Sequence, residues 1–377
     1  MITVLYAKSN SINPSYTVLY AELSRRIEAD LRVLDVSSAS IEQIEQHCRT
    51  SDLLVVDSFI RAANALNPAG LSSVMLLNWR GQDFYASVWH AATTAGAPVL
   101  YIASGWDLHW PGLDLEQLLP KLSGIAWTYE RRPVTLPEVP AAYRDAWMAE
   151  QSDPIDNWEK VRSRVKTRIE LIHSLDNSDF EAKNASPRWD VCIAGDTYMP
   201  RVLARRAALE CGMKEAPIRF TDTAILRLTG KLPVLCGNLI ASSLRNRLRQ
   251  ANQRFLTHRS AINFVCGSGY RYPVRKFFEI PAVRSAMLAY PCTGMRDYGF
   301  VDGEHYLQIA PEDFGREARK LLANESLRTR LIDNASEMVV RLHSAERRVD
   351  DLIECMRRMA AGRLRLASFH DGEFVIE

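Results

Sequence analysis

Between Tyr270 and Glu304 the chain reads YRYPVRKFFEIPAVRSAMLAYPCTGMRDYGFVDGE, and the order of residue types there already has chemical content. Three cations, Arg271, Arg275 and Lys276, precede a single acid, Glu279. Arginine binds phosphate through a planar fork, and lysine binds it as a point charge. A carboxylate accepts hydrogen bonds from two adjacent hydroxyls, such as those of a ribose. The apolar neighbours Phe277, Phe278 and Ile280 favour a partly buried acid, which seldom lacks a task. On a helix starting near Val274, Arg275 and Glu279 lie one turn apart, so a plain surface ion pair is the competing explanation. Lys276 is then expected to point elsewhere. A strand-like run and a turn rich in Gly, Pro and Asp follow. Cations for a diphosphate, an acid for a pentose and a closing loop are the parts of a nucleotide-sugar site.

Further candidates sit where strands end. Gly195 closes a strand where backbone must turn sharply or approach a ligand. Asp196, Thr197 and Arg201 follow at a helix start, suited either to an anion or to helix capping. Thr293 and Gly294 offer a hydroxyl and backbone N–H groups, or simply a turn; Asp302-Gly303 reads as turn chemistry, and Glu304 is a weaker ligand still. The segment Gly105–Trp110 carries two tryptophans suited to stacking on sugar faces, with Asp107 and His109 as candidate general bases. A Trp-rich packing loop with Asp107 capping a turn is the alternative there. Asp57 and Arg80 end other strands. His258, His305 and His343 lack metal-ligand spacing, and no Asp-x-Asp pair offers a metal anchor, so no metal and no resident cofactor are expected.

These residues need elements to hold them. Ile2–Tyr6, Leu31–Val36, Leu53–Asp57, Val74–Asn78 and Val99–Ala103 are short apolar runs. They alternate with helical spacing over Tyr16–Ala29, Ile41–Cys48 and Ala86–Ala95, which predicts a parallel sheet covered on both faces. Ligands of such sheets bind beyond the carboxyl ends of the strands. Prolines at 133, 137, 140 and 154, a charged helix over Asn157–Leu175 and a polar stretch to Pro187 read as a connector. Alternation restarts with strand Trp189–Ala194, helix Arg201–Cys211 and a strand-like run Pro217–Phe220. Helix Leu244–Leu256, strand Ala261–Cys266, helix Arg275–Ala282 and strand Ser285–Ala289 follow. Helices close the chain over Phe314–Leu322, Glu325–Asn334 and Ala335–Met359.

At 377 residues the chain exceeds one ordinary core, so an α/β protein of two Rossmann-like domains facing across a cleft is expected. The divisions are 1–150, a connector over 151–187, a second domain over 188–340, and a helix and tail over 341–377. Charged residues at 24% and a net charge of +2 give no general pull toward nucleic acid. Seven scattered cysteines without a C-x-x-C pair argue for a reducing compartment rather than a disulfide framework. No signal peptide is evident, and no apolar run reaches the roughly 18 residues of a membrane span. A cytoplasmic protein, at most peripheral at the inner face of the membrane, is the expectation. The Arg-rich stretch Ser243–Arg259 suits nucleic acid, an anionic lipid-linked acceptor or, as the simplest reading, a solvated helix face. It lacks the aromatic interleaving of a nucleic-acid platform.

The second half resembles the carboxyl-terminal domain of GT-B glycosyltransferases, and in particular the group-1 and CgeB-like (spore-maturation) branch. The likeness rests on WDVCIAGDTYMPR (Trp189–Arg201), KFFEIPA (Lys276–Ala282), YGFVDGEHYLQI (Tyr298–Ile309) and the closing helices from Leu321. It spans about half the chain, and the first half matches only in its alternation. Many retaining members carry a pair of acids; Glu279 fits the second, but Arg271 occupies the place of the first. The small turn after that helix is replaced by Ala282-Val283-Arg284-Ser285.

The resemblance implies a two-domain GT-B fold and transfer of a sugar from a nucleotide-sugar donor without a metal. Arg271, Arg275, Lys276, Glu279, Gly195, Arg201, Thr293 and Gly294 would then hold the donor. It also implies a glycan or lipid-linked acceptor in cell-envelope polysaccharide synthesis, such as lipopolysaccharide or capsule. The alternatives are a transferase acting on DNA or protein, or a degenerate transferase fold serving as a binding module.

Overall fold

The run Leu53–Asp57 (LLVVD) is buried at every position, and its β-branched and leucine side chains suit a strand covered on both faces. The structure is a computed structural model. It describes residues 1–7, 14–26, 28–65, 80–103, 115–128, 154–180, 186–195, 198–218, 221, 224–225, 227, 238–267, 273–290 and 292–377. Expected strand Val74–Asn78 lies outside the described residues.

Strands β1 (Ile2–Tyr6), β2 (Leu31–Asp35), β3 (Leu53–Asp57), β4 (Val99–Ala103), β5 (Gly124–Trp127) and β6 (Thr167–Glu170) pair in parallel. Val4 sets the register at the centre, opposite Val33 on one side and Val55 on the other. Helices α1 (Pro14–Leu23), α2 (Ile41–Arg49), α3 (Ser58–Ala65), α4 (Gln82–Thr94), the single turn α5 (Leu115–Leu118) and α6 (Pro154–Arg164) connect them.

The second sheet consists of β7 (Trp189–Cys192), β8 (Ser260–Cys266), β9 (Ala286–Tyr290) and β10 (Leu307–Gln308), all parallel, in the spatial order β10-β9-β8-β7. Around it lie α7 (Met199–Glu210), α8 (Asn238–His258), α9 (Lys276–Ala282), α10 (Phe314–Ala323) and α11 (Glu325–His343). One face of this sheet packs Ile262, Phe264 and Leu288 against Phe314 and Leu331. The other packs Val265 and Met287 against Phe277 and Phe278 of α9 and Met338 and Val339 of α11.

The chain then returns to the first sheet. Helix α12 (Ala345–Ala360) buries Val349, Leu352, Ile353 and Met356 among Tyr20, Leu53 and Val55. Strand β11 (Leu366–His370) joins the edge of β6 in parallel, and β12 (Glu373–Ile376) turns back antiparallel, completing the eight-stranded order β12-β11-β6-β5-β4-β3-β1-β2. Two segments therefore cross between the sheets, one after β6 and one at Ser344. They are pinned together: Leu175 N–H donates to the His343 carbonyl at 3.0 Å, and Ala345 N–H donates to the Leu175 carbonyl at 2.8 Å.

Several elements differ from their sequence expectation. The helix expected over Asn157–Leu175 stops at Arg164, because Thr167, Ile169 and Glu170 are buried between β5 and β11. The helix expected over Ala335–Met359 is two helices. Ser344 takes extended backbone and its hydroxyl accepts from Arg347 N–H at 3.3 Å, capping α12. In place of a strand at Pro217, a bridge pairs Glu215 with Val191, and Ile218 begins a helical turn. The tail beyond Ala360, expected without strands, supplies two.

Candidate functional site

Helix α9 has a simple division of labour. Phe277, Phe278, Ile280, Pro281 and Ala282 are buried, which leaves Arg275, Lys276 and Glu279 on the remaining side. That side forms one wall of a cavity of about 310 Å³. Gln250, Gln253, Arg254 and Thr257 of α8 form the opposite wall, Asn263 and Phe264 of β8 the floor, and Ala194 and Asp179 complete the rim. Lys276, expected to point elsewhere, lines the same cavity as Glu279 because residues three apart on a helix are surface neighbours.

Arg275 is engaged on every side. Its Nε donates to Glu279 Oε1 at 2.7 Å, one Nη to the Ser174 carbonyl at 3.0 Å and the other to Asp179 Oδ2 at 2.9 Å. With its side chain only 12% exposed, these charge-assisted bonds are shielded from water and hold their geometry. The ion pair anticipated between Arg275 and Glu279 is thus present, and it sits inside the cavity wall. Lys276 Nζ donates to the neutral Gln253 side chain at 3.1 Å, and no carboxylate among the described residues pairs with it. Among the described residues its other donors have no partner, which leaves them for an incoming anion. Arg254 stands 3.7 Å from Asp179 Oδ1 at the same rim.

Glu279 lies deep among protein atoms, yet 36% of its side-chain surface remains accessible, opening onto the cavity it lines. Burial pushes its carboxyl up, but the charges of Arg275 and Lys276 and the Arg275 hydrogen bond outweigh burial and hold it below the usual carboxylate range. It is therefore ionised at neutral pH. His173, edge-on to Phe278, is pushed down to about 3 by burial and by the Arg275 charge, and stays neutral. Neither His173, Ser174 nor Asp179 carried a motif that could have singled it out.

Gly195 and Arg201 meet in a different way. Gly195 has φ +109°, and a Cβ there would stand 2.7 Å from Arg201 Nη1, so only glycine fits this turn. Arg201 is 4% exposed, with its guanidinium 5.1 Å from the Tyr198 ring, and it packs behind the turn without lining the cavity. Gly195 follows the lining residue Ala194. Thr293 and Gly294 occupy the turn after β9, where the Gly294 carbonyl accepts from Tyr298 N–H at 3.1 Å, and neither lines the cavity. Arg271, Asp107, His109, Asp196 and Thr197 lie outside the described residues. Of the lesser candidates, Asp57 Oδ1 accepts from Phe59 N–H at 3.1 Å at the start of α3. Arg80 donates to the Ala39 carbonyl and lies over Phe84. Among the described residues no group of His, Cys, Asp and Glu is arranged to hold a metal.

Residues 235–354, which include α8, α9 and most of the cavity wall, match a family model described as glycosyl transferase-like. The chain is similar in structure to HepE from Anabaena, solved in complex with UDP-glucose, at 9% identity and TM-score 0.52, over 94% of this chain and 99% of that one. It is also similar to sucrose-phosphate synthase from Thermosynechococcus elongatus, at 12% identity and TM-score 0.55, over 96% of this chain and 99% of that one. No curated protein matches the sequence. The fold is GT-B, two Rossmann-like domains with parallel sheets, and the second of them carries the glycosyl transferase-like match.

Proposed function

We propose that this protein transfers a sugar from a nucleoside diphosphate donor to a glycan acceptor, and that the cavity between α8 and α9 takes the donor. One observation carries the reading: a single cavity brings together an ionised, partly open carboxylate and an ammonium that, among the described residues, pairs with no carboxylate, inside the glycosyl transferase-like domain. Breaking the anomeric C–O bond leaves negative charge growing on the departing diphosphate. Preorganised cations aimed at that charge give the largest help available. Lys276 and Arg254 are placed to supply it from the protein itself, so the transfer is proposed to need no metal. Glu279 accepts the ribose hydroxyls through the oxygen that Arg275 leaves open.

On this reading the acceptor enters from the first domain, with Asp107 or His109 as its base, and Arg271 joins the diphosphate clamp. The group-1 likeness points to a cell-envelope glycan or its lipid-linked precursor. No described helix is long and apolar enough to cross a membrane, and the basic α8 offers a peripheral contact. The proposed location is the cytoplasmic side. Arg271 in place of an acid is the feature that favours the second reading, a binding module without turnover.

A thermal-shift panel of UDP, GDP, ADP, CMP and dTDP and their sugars tests the proposal, with UDP first because HepE was solved with UDP-glucose. A ligand that binds only the folded chain raises its melting temperature by mass action. At least one diphosphate is expected to do so, and Glu279→Ala to remove most of the shift. A flat panel would sink the donor site. Binding without transfer to any acceptor would favour the module.

A further inference from the structure

We infer that Asp179 is a positioning residue for the donor: acting through Arg275, it fixes the Glu279 carboxylate and ties it to the segment that crosses between the two sheets. The inference rests on the cavity being the donor site and names a residue that neither motif nor family pattern marked.

The geometry forms a chain of fixed parts. Asp176 and Asp179 lock the short turn Asn177–Asp179 reciprocally: Asp176 Oδ1 accepts from Ser178 N–H at 2.8 Å, and Asp179 Oδ2 accepts from Asp176 N–H at 2.9 Å. That same Asp179 oxygen accepts from Arg275 at 2.9 Å. Five residues upstream, the Ser174 carbonyl takes a second Arg275 donor at 3.0 Å. Leu175, between them, is hydrogen-bonded to His343 and Ala345 of the return crossing. Arg275 therefore fastens α9 to the place where both segments pass between the sheets.

Charge explains why this matters to Glu279. Arg275, Lys276 and Arg254 surround the cavity with three cations, facing the two carboxylates of Glu279 and Asp179. Asp179 takes one end of the Arg275 fork, so Arg275 meets Glu279 through Nε alone and at Oε1 alone. Among the described residues Oε2 of Glu279 accepts no hydrogen bond, which leaves it for a pair of ribose hydroxyls. Without the Asp179 charge, the freed end of the fork would turn onto Glu279 and close that oxygen. Ground-state donor affinity would fall, with little effect on the chemical step.

The test is a double-mutant cycle read by isothermal titration with UDP, GDP, ADP, CDP and dTDP. Wild-type protein is expected to bind at least one of them. Asp179→Asn should weaken that nucleotide about tenfold, Asp179→Glu should restore most of the loss, and KM for the donor should rise while kcat holds. The same Asp179→Asn change should alter affinity less than twofold in a Glu279→Gln background, and less than twofold for the 2′,3′-dideoxy form of the nucleotide. Equal losses with and without Glu279, or with and without the ribose hydroxyls, would overturn the inference and leave Asp179 a merely structural residue. Unchanged binding by Asp179→Asn would overturn it as well. Failure of the wild type to bind any nucleotide would instead overturn the donor-site reading, and this inference with it. Should Asp179→Asn not fold by circular dichroism, Asp179→Ser, which also removes the charge and leaves the Arg275 fork in place, completes the same cycle with the same expectations.

Discussion

Arg275 and Glu279 are joined by a 2.7 Å hydrogen bond one turn apart on α9, and the pair forms part of a cavity wall instead of lying on the surface. A surface pair of this spacing contributes a few tenths of a kcal/mol and little else. Here the arginine is 12% exposed and shared with a second carboxylate, so removing the arginine leaves two carboxylates without their common counterpart.

Glu279→Gln keeps the size of the side chain and a hydrogen-bond acceptor but removes the charge. Nucleotide affinity is expected to drop by at least tenfold, corresponding to about 1.4 kcal/mol or more for lost charge-assisted bonds. Calorimetric titration of wild type and variant measures it, and equal dissociation constants would exclude Glu279 from the donor site.

Lys276 is assigned to the leaving group, so its removal should slow turnover more than it weakens binding. Lys276→Met is expected to lower kcat by about a hundredfold, in the range seen when one stabilising donor is removed. Lys276→Arg should recover part of the rate. A variant that loses only KM would move Lys276 from the transition state to ground-state binding.

Acid should destabilise the fold earlier than its carboxylates alone would. His173 and His343 are both buried and pushed down to about 3 by burial, from an ordinary value near 6.5. Above pH 6.5 both are neutral folded and unfolded, so they contribute nothing to the pH dependence. As pH falls below 6.5 the unfolded chain takes up protons that the folded chain refuses, and stability drops until pH reaches about 3. At pH 5 each histidine costs roughly 2 kcal/mol by linkage. His343 donates Nε2–H to the Tyr298 carbonyl at 2.8 Å, a bond that a glutamine amide can also make. In urea unfolding, the loss between pH 7 and pH 5 should therefore shrink by about 2 kcal/mol in His343→Gln. An unchanged pH slope would mean that His343 accepts a proton within the fold.

Two glycines with positive φ should respond differently to alanine. At Gly195 the new Cβ meets the Arg201 guanidinium at 2.7 Å, whereas at Gly212 (φ +65°) nothing lies within 4 Å. Gly212→Ala should cost about 1 kcal/mol, the backbone penalty alone. Gly195→Ala should cost about 2–3 kcal/mol, because the buried arginine must also move. Comparison of the two midpoints in denaturant decides it; equal costs would show that Arg201 yields freely.

Local rules made much of this legible in the chain itself. The alternation of short apolar runs and helical spacing determined two parallel sheets. The pattern KFFEIPA placed Glu279 on a helix with its apolar side buried, and the four-residue spacing brought Arg275 to it. Such features depend on periodicities of two and 3.6 residues and on contacts one turn apart, which any short stretch displays. Tertiary structure decided the rest. Asp179 reaches Arg275 across 96 positions, and Thr167–Glu170 becomes a strand only because β5 and β11, the latter nearly 200 residues further on, stand on either side of it. Neither choice is encoded in its own neighbourhood, because a parallel strand and a buried ion pair are specified by whichever distant segment packs against them.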